Sequence, residues 1–302
     1  MRAQLPLRPG FLARLAAARE LGRRFLLAGN LPEAIGAPPE EFEGHHPYVP
    51  GEDVRWIDWN LAARQDAYFV KVFRTDEEVE TILLVDASGS MTDGEGLKYA
   101  AAAAAAAALA WIALLCGAPL RLCLYADRML ATAGPWRHPE GLAAVQSRLA
   151  EPPRAGEGTD LSRSLDLILA GRRRPIALVV LTDCFQQRPL EAAAARALAG
   201  GVRHVSVVRV VDPRDLTPRL RGNLLLVDQE GGGERRLLAD RALEEAAHRR
   251  IAAHFRALAE RCAALRAPLH ELHARRPFEE TFLAMLAGTP NAVPAAATPV
   301  RA

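Results

Sequence analysis

The stretch TILLVDASGSM, residues 81–91, decides the fold class and the position of the candidate site. Residues 81–85 are apolar and largely β-branched, which is typical of a short strand buried on both faces. Asp86, Ser88 and Ser90 follow two residues apart in a loop of small residues. Open α/β sheets bind ligands outside the C-terminal ends of their strands. Because carboxylate and hydroxyl oxygens suit Mg²⁺, Mn²⁺ or Ca²⁺ better than zinc or copper, the stretch predicts a strand that ends in a cation site.

The chain beyond this stretch alternates apolar strands with helices. Such alternation is typical of an α/β fold with a doubly wound, mostly parallel sheet and helices on both faces. A short antiparallel edge strand is predicted at 129–132. The predicted strands lie near 80–86, 120–126, 175–182 and 202–211, and the predicted helices near 95–116, 138–150, 160–171 and 190–199.

The two ends of the chain carry different patterns. An amphipathic helix up to about residue 31, a connector at 32–43 and a strand at 67–74 predict an N-terminal extension of helix and strand. Towards the C-terminus the predictions are a hairpin (224–227 and 235–238), a long helix (239–266), a strand (269–272), a helix (278–286) and a disordered Ala/Pro-rich tail. We expect three parts: an extension packed on the main domain (1–78), the main domain (79–288) and the tail (289–302).

Composition argues against several classes of protein. The chain has 302 residues, half of them hydrophobic and a quarter charged, and its net charge of +2 argues against a nucleic-acid partner. The four cysteines are scattered without a CxxC pair, which indicates a reducing compartment and no zinc site. Arg14 and Arg19 interrupt any signal-peptide pattern at the N-terminus. These features predict a cytoplasmic protein.

The uncharged run from Tyr99 to Leu120 is long enough to cross a bilayer. Most of it is alanine, which is nearly neutral in transfer, and Gly117 and Pro119 break its end. It also begins where an α/β fold needs a helix, soon after the Asp86 loop. We therefore predict a buried, close-packed helix and no membrane insertion.

Two further loops supply oxygen donors near the ends of predicted strands. Thr159 lies in the loop GEGTD before a helix, and Asp183 directly follows the strand IALVVLT. With Asp86, Ser88 and Ser90, they resemble the metal-ion-dependent adhesion site of von Willebrand factor A domains. That site has an Asp-x-Ser-x-Ser loop, a distant Thr and a second distant Asp, in this chain order. The resemblance also implies a von Willebrand A-like version of the predicted fold.

The same resemblance implies a role for each of the five residues. The hydroxyls of Ser88, Ser90 and Thr159 bind the ion directly, whereas Asp86 and Asp183 bind it directly or through water. Few direct charges leave the ion able to accept a carboxylate from a partner protein. Mg²⁺ is the implied ion, and Mn²⁺ or Ca²⁺ also suits the donors.

Each part of the set has a structural explanation when taken alone. Ser and Asp are common in turns, Thr159 and Asp160 are typical of a helix N-terminus, and Asp183 could be another cap. The complete set in order, each after the right element, favours the cation site. A P-loop is unsupported because Glu95-Gly96 stands where Lys-Ser/Thr is required, and no GxGxxG follows a strand.

A second motif, YVPGEDVRWIDW, occupies residues 48–59 before the first apolar strand. With Ala63-Arg64, Glu77-Glu78 and the DASGSM loop, it resembles the bacterial domain-of-unknown-function family fifty-eight. Members of that family join such a motif to a von Willebrand A-like domain. The sequence departs from the family pattern at His46, where Arg is usual, and at Glu52, where Asp is usual.

The motif segment has two interpretations. In the first, Trp56, Ile57 and Trp59 pack on the sheet while Arg55, Asp58 and Arg64 form a charge-assisted network. In the second, the segment is a docking surface near the metal. We favour packing, and we predict that His45 and His46 are loop residues because no further ligand stands at metal-binding spacing nearby.

The family resemblance implies a non-enzymatic, divalent-cation-dependent protein-interaction module. Its implied partner is a MoxR-type AAA+ ATPase or a client protein that offers an Asp or Glu to the ion, with the module as adaptor or co-chaperone. The alternative is a metal-dependent hydrolase of phosphoryl or acyl groups, which needs a base or nucleophile beside the ion. Only Cys184 offers one in the three loops. A third interpretation, a structural subunit with a vestigial site, is disfavoured by the complete ligand set.

Overall fold

The computed structural model describes residues 7–27, 41–48, 57–65, 67–74, 79–92, 95–151, 158–170, 175–185, 190–228 and 233–288. The chain forms two compact units, Met1–Asn30 with Val79–Ala302 (the main unit) and Leu31–Glu78 (the inserted unit). The predicted extension is thus divided, since residues 1–30, which carry its first two helices, belong to the main unit and residues 31–78 form the inserted unit. The predictions for 49–56, 77–78, 156–157 and the tail at 289–302 lie outside the described residues.

The helices and strands of the described residues follow the predicted alternation from residue 80 onwards. The helices are α1 (Pro9–Ala17), α2 (Arg19–Leu27), α3 (Trp59–Gln65), α4 (Gly89–Thr92), α5 (Leu97–Leu115), α6 (Gly141–Ala150), α7 (Leu161–Leu169), α8 (Leu190–Ala199), α9 (Pro213–Leu216), α10 (Arg241–Ala264) and α11 (Phe278–Leu286). The strands are β1 (Glu41–Pro47), β2 (Phe69–Arg74), β3 (Glu80–Asp86), β4 (Leu120–Tyr125), β5 (Met129–Trp136), β6 (Ile176–Thr182), β7 (Val202–Val211), β8 (Gly222–Val227), β9 (Glu234–Ala239) and β10 (Leu269–His273).

The main unit is built on a six-stranded sheet in the order β10-β7-β6-β3-β4-β5. All neighbours run parallel except β5, which pairs antiparallel with β4 at the edge. Counted along the chain within this sheet, the order is 6-5-4-1-2-3, the doubly wound order read from its other edge. Every residue of β3 and β6 is buried, as continuous apolar runs require in a sheet covered on both faces. The predicted α/β fold class and edge strand are confirmed.

Helix α5 packs along one face of the sheet. Its run of alanines is buried because small side chains let the helix approach the strands and the neighbouring helices closely. Among the described residues it is the one helix long and apolar enough to span a membrane, with a mean hydropathy of 1.6, and 72% of the apolar window is buried in the fold. The prediction of a buried, close-packed helix is therefore confirmed.

Helices α1 and α2 cover the outside of α5. Phe11 and Leu15 of α1 are fully buried, and the Phe11 ring meets the rings of Phe278 and Phe282 of α11 edge to face, at centroid distances of 5.7 and 6.1 Å. The indole nitrogen of Trp111 on α5 donates to the carbonyl of Leu12 at 3.2 Å. The N-terminal helices thus complete the core of the main unit. Helices α7, α8 and α10 cover the opposite face of the sheet.

The inserted unit contains the antiparallel pair β1–β2 and α3. Asp58 begins α3 by accepting from the backbone N–H groups of Asn60 and Leu61, and it pairs with Nε2 of His45 at 2.9 Å. His45 and His46 lie in β1, so their prediction as loop residues is wrong. Ile57 is buried and forms an isolated antiparallel bridge with Val70 of β2. Trp59 is 61% exposed, so the prediction that Trp59 packs on the sheet is wrong.

Candidate metal centre

The candidate site lies at the carboxyl edge of the sheet, where β3 and β6 end side by side. These two strands are neighbours, but the chain leaves β3 towards β4 and β5 before returning to β6 on the other side. The edge between them is therefore the topological switch point at which doubly wound folds form a crevice for ligands. Asp86 ends β3, and Asp183 directly follows β6.

Asp86 is held by two hydrogen bonds in a buried position. Its Oδ1 accepts from the backbone N–H of Ser88 at 2.9 Å, and its Oδ2 accepts from the Thr182 hydroxyl at 2.7 Å. Burial, followed by repulsion from the Asp183 carboxylate, raises the pKa of Asp86 to about 7. The site therefore holds a carboxyl group whose proton a divalent cation could displace near neutral pH.

The two serines of the loop lie next to each other. Their hydroxyl oxygens are 3.2 Å apart, with Ser88 fully buried and Ser90 half-buried on the short helix α4. The Thr92 hydroxyl donates to the Ser88 carbonyl at 2.9 Å and fixes the turn. The sequence alternation Asp-x-Ser-x-Ser thus brings the Asp86, Ser88 and Ser90 oxygens together in one loop.

The backbone next to Thr159 is attached to the end of β4. The N–H of Asp160 donates to the Ala126 carbonyl at 2.8 Å, just past the end of β4. On the other side of β4's end, the N–H of Ala87 donates to the Tyr125 carbonyl at 2.8 Å. The cap of α7 is Asp160, which accepts from the N–H of Arg163 at 3.1 Å.

Asp183 carries a partner that the sequence analysis missed. Its Oδ1 accepts from the N–H of Phe185 at 3.2 Å, and its Oδ2 lies 2.8 Å from Nζ of Lys98 in the first turn of α5. The same Nζ lies 2.7 Å from Oδ2 of Asp215 on α9. Burial alone would lower the pKa of Lys98, but the carboxylates of Asp183 and Asp215 outweigh it and raise the pKa.

The donor set fits a hard divalent cation. In the part of the chain that the structure describes, no group of three or more His, Cys, Asp or Glu side chains is placed to hold a metal. An ion at this edge would instead rest on hydroxyls and the two carboxylates of Asp86 and Asp183, which suits Mg²⁺ and not a soft metal. The Lys98 ammonium beside Asp183 shows that this edge already accommodates a positive charge.

The residue after Asp183 is part of the hydrophobic core. Cys184 is buried at φ +64°, its N–H donates to the Thr182 hydroxyl, and its carbonyl lies 3.1 Å from Nε2 of His254. Burial, followed by the nearby Asp183 carboxylate, raises the pKa of the Cys184 thiol well above its usual value. The thiol is therefore protonated and is not poised as a nucleophile.

Comparisons with known proteins give partial structural overlaps and one family. The proximal thread matrix protein 1 of the mussel byssus, solved with a zinc-occupied MIDAS motif, is 16% identical, with 45% of this chain and 39% of that chain covered and a TM-score of 0.35. This chain thus spans less than half of the mussel protein. The conserved hypothetical protein BatB from Bacteroides thetaiotaomicron is 17% identical, with 70% of this chain and 99% of that chain covered and a TM-score of 0.38.

The sequence comparisons reach further along the chain. The uncharacterized protein Rv1480 of Mycobacterium tuberculosis is 32% identical over 260 residues, which cover 83% of this chain and 80% of that protein. Residues 45–257 match the family described as "Protein of unknown function DUF58". The chain therefore belongs to the DUF58 family.

Proposed function

We propose that the chain is a divalent-cation-dependent protein-interaction module that takes a partner's carboxylate at the carboxyl edge of its sheet. The observation that carries the proposal is the gathering of Asp86, Ser88, Ser90 and Asp183 at the switch point of the fold. Oxygen donors that converge where open α/β sheets bind ligands are suited to holding a hard cation.

The proposed roles are those that the resemblance to the metal-ion-dependent adhesion site implies. The hydroxyls of Ser88, Ser90 and Thr159 would hold the ion directly, and Asp86 and Asp183 would hold it directly or through water. When bound, the cation supplies an open coordination position for an Asp or Glu of the partner. Thr182 orients Asp86 by donating to its Oδ2. Mg²⁺ is the proposed ion, with Mn²⁺ or Ca²⁺ as substitutes that the same oxygens accept.

The proposed partner is a MoxR-type AAA+ ATPase or one of its clients, with this chain as adaptor or co-chaperone. Support for this class of partner comes from the resemblance of the motif at residues 48–59, joined to an A-like domain, to the domain-of-unknown-function family fifty-eight. The match of the chain to the DUF58 family agrees with that resemblance. Because such a partner consumes ATP, we propose that the module works in the cytoplasm. Its cysteines within the described residues are all free, which suits a reducing compartment.

We propose further that the module is not an enzyme. A hydrolase at this edge would need a base or nucleophile beside the ion. Among the described residues of the site, the Cys184 thiol is buried with a raised pKa, and Lys98 is paired with two carboxylates. Metal-dependent phosphatase or esterase turnover by the wild type that is lost in Asp86→Ala would establish the alternative.

The test is binding of a purified MoxR-type ATPase from the same genome at constant Mg²⁺ and nucleotide. We expect wild type to bind and Asp86→Ala to lose at least about tenfold in affinity, because the partner's carboxylate then lacks its ion. Holding Mg²⁺ constant matters because a chelator would also strip the metal from the ATPase's nucleotide.

The matched control is Asp166→Asn, which removes an exposed carboxylate that pairs with Arg196 on the helical surface. It should bind the ATPase as wild type does. Equal affinity of wild type and Asp86→Ala for the ATPase would contradict the bridging function.

A further inference from the structure

We propose that the Lys98 ammonium competes with a divalent ion for the Asp183 carboxylate. It pairs with Asp183 until the ion binds, and this competition sets the affinity of the site for the ion. The inference rests on the proposed function and deepens it. It concerns Lys98, a residue outside the predicted ligand set that pairs with one of the predicted ligands, Asp183.

Lys98 is positioned to compete with a divalent ion. Its ammonium nitrogen is 2.8 Å from Oδ2 of Asp183, an oxygen of the proposed ligand set. The Lys98 side chain is only 12% exposed and Asp183 only 3%, so the pair is shielded from solvent. An ion that draws on Asp183 must therefore displace the ammonium from this oxygen or bind against its charge.

Asp215 provides the second partner that lets Lys98 withdraw. It lies 2.7 Å from the same Nζ and is 32% exposed, far more than Asp183. When Asp183 turns to an ion, Lys98 would keep one carboxylate partner, Asp215. An ammonium with two alternative carboxylates can thus change partners without being left unpaired in a buried position.

The segment that carries Asp215 is fixed independently of Lys98. Asp212 caps α9 by accepting from the N–H of Arg214 at 3.0 Å. Nε of Arg275 lies 3.0 and 3.1 Å from the two carboxylate oxygens of Asp212, and its Nη1 donates to Glu95 at 3.1 Å. The second partner is therefore in place whether or not Lys98 contacts Asp183.

Two substitutions should shift metal affinity in opposite directions, as measured by calorimetric titration of the full chain with MgCl₂ and with MnCl₂. Lys98→Met removes the competing charge and should tighten binding about tenfold, equivalent to about 1.4 kcal/mol. Asp215→Asn removes the alternative partner, leaves Lys98 committed to Asp183, and should weaken binding about tenfold. Arg214→Met is the control: it removes a positive charge from α9, the helix of Asp215, without altering the contacts of Asp183. It should change the affinity for the divalent ion less than about twofold.

The outcomes separate this inference from the proposed function. If wild type binds Mg²⁺ and Lys98→Met binds it equally or more weakly, the inference is wrong and the metal site stands. If neither protein binds Mg²⁺ or Mn²⁺, both fail. If Lys98→Met binds where wild type does not, the inference is supported directly.

A spectroscopic readout needs no variant of the site. Lys71 and Lys98 are the only lysines in the chain, so lysine-selective isotope labelling gives two side-chain signals, which Lys71→Arg assigns. Titration with MgCl₂ should shift the Lys98 signal with the calorimetric midpoint. A Lys98 signal that stays unchanged while calorimetry records saturation would overturn the inference, even if Lys98→Met failed to fold.

Discussion

Asp86 and Asp183 are 1% and 3% exposed, and burying two carboxylates side by side is costly unless each charge is compensated. The protein compensates them differently. Asp86 holds its proton up to about pH 7 and accepts two hydrogen bonds, whereas Asp183 pairs with Lys98. A divalent cation that bound here, as we propose, would therefore have to displace a proton, an ammonium, or both. This compensation explains how two carboxyl groups can stay buried side by side in the folded protein.

His204 is a second buried titratable residue, and it should make the stability of the protein depend on pH. It lies on β7 with Nε2 2.7 Å from the Ser206 hydroxyl. Burial is the largest cause that lowers the pKa of His204 to about 4, below the unfolded value of 6.5. The unfolded chain then binds the proton more readily between these values, so the stability that His204 contributes is present above pH 6.5 and is lost as the pH falls. From pH 7 to pH 5 the loss is about 2 kcal/mol.

The measurement compares urea unfolding of wild type and His204→Gln at pH 7 and pH 5. The comparison is needed because Asp86 acts in the opposite direction: its raised pKa lets the folded state bind a proton more readily between pH 7 and about 4. The variant keeps the Asp86 contribution and lacks that of His204. From pH 7 to pH 5, the change in its free energy of unfolding should therefore be about 2 kcal/mol less negative than the change in wild type. An equal fall in both proteins would contradict a buried neutral histidine.

At the scale of elements, the contact of α2 with α5 depends on a glycine. A Cβ added at Gly22 would lie 2.6 Å from both Cδ1 and Cγ2 of Ile112. Alanine favours a helix over glycine by about 1 kcal/mol. Overpacking against a stiff β-branched side chain costs about 1–3 kcal/mol. We therefore expect Gly22→Ala to lower the free energy of unfolding by about 1 kcal/mol, as measured by urea denaturation.

Gly10→Ala on α1 is the matched control, because no heavy atom lies within 4 Å of a Cβ at that position. It should stabilise the protein by about 0.5 kcal/mol through helix propensity alone. Ile112→Val, which deletes the Cδ1 atom, should recover part of the Gly22→Ala loss. Stabilisation by Gly22→Ala equal to that of Gly10→Ala would contradict the close approach of α2 to α5.

Elements with a strong local pattern could be predicted from the sequence, and those defined by distant partners could not. The buried runs of β3 and β6 and the Asp-x-Ser-x-Ser loop carry their structure in consecutive residues. The strand β1, with the sequence EFEGHHP, has no alternation and exists through its pairing with β2, so the sequence pattern predicts a connector for its first part. Lys98 was missed for the same reason: a single lysine forms no pattern, and its role appears only when α5 brings it to Asp183.

At the scale of the whole molecule, the sheet joins the candidate site to the core. Successive residues of β3, such as Ile82 and Leu83, point to opposite faces and belong to the two hydrophobic clusters that cover the sheet. The hairpin β8–β9 stands apart, with Leu238 75% exposed and Val227 55% exposed. Two-stranded hairpins are marginally stable in isolation, so we expect the hairpin to open locally while the sheet opens only with global unfolding.

This difference predicts how bound metal protects the molecule against amide hydrogen exchange. An ion that binds only the folded main unit adds about 2.7 kcal/mol at 100 times its dissociation constant, which slows exchange through global unfolding about 100-fold. Peptides from β3, β4 and β6 should slow by this factor in saturating Mg²⁺. Peptides from β8–β9 should not slow, since local opening leaves the ion bound. Peptides from the inserted unit, which is compact by itself, should also be unchanged.

Asp86→Ala supplies the control, because the sheet peptides should then exchange at the same rate with and without Mg²⁺. Protection spread evenly over the sheet, the hairpin and the inserted unit would indicate non-specific ion binding or one cooperative unit. Protection confined to the sheet in wild type and absent in Asp86→Ala would link the ion to the edge where β3 and β6 end. The core that the apolar strands build would then be the element through which the cation stabilises the main unit.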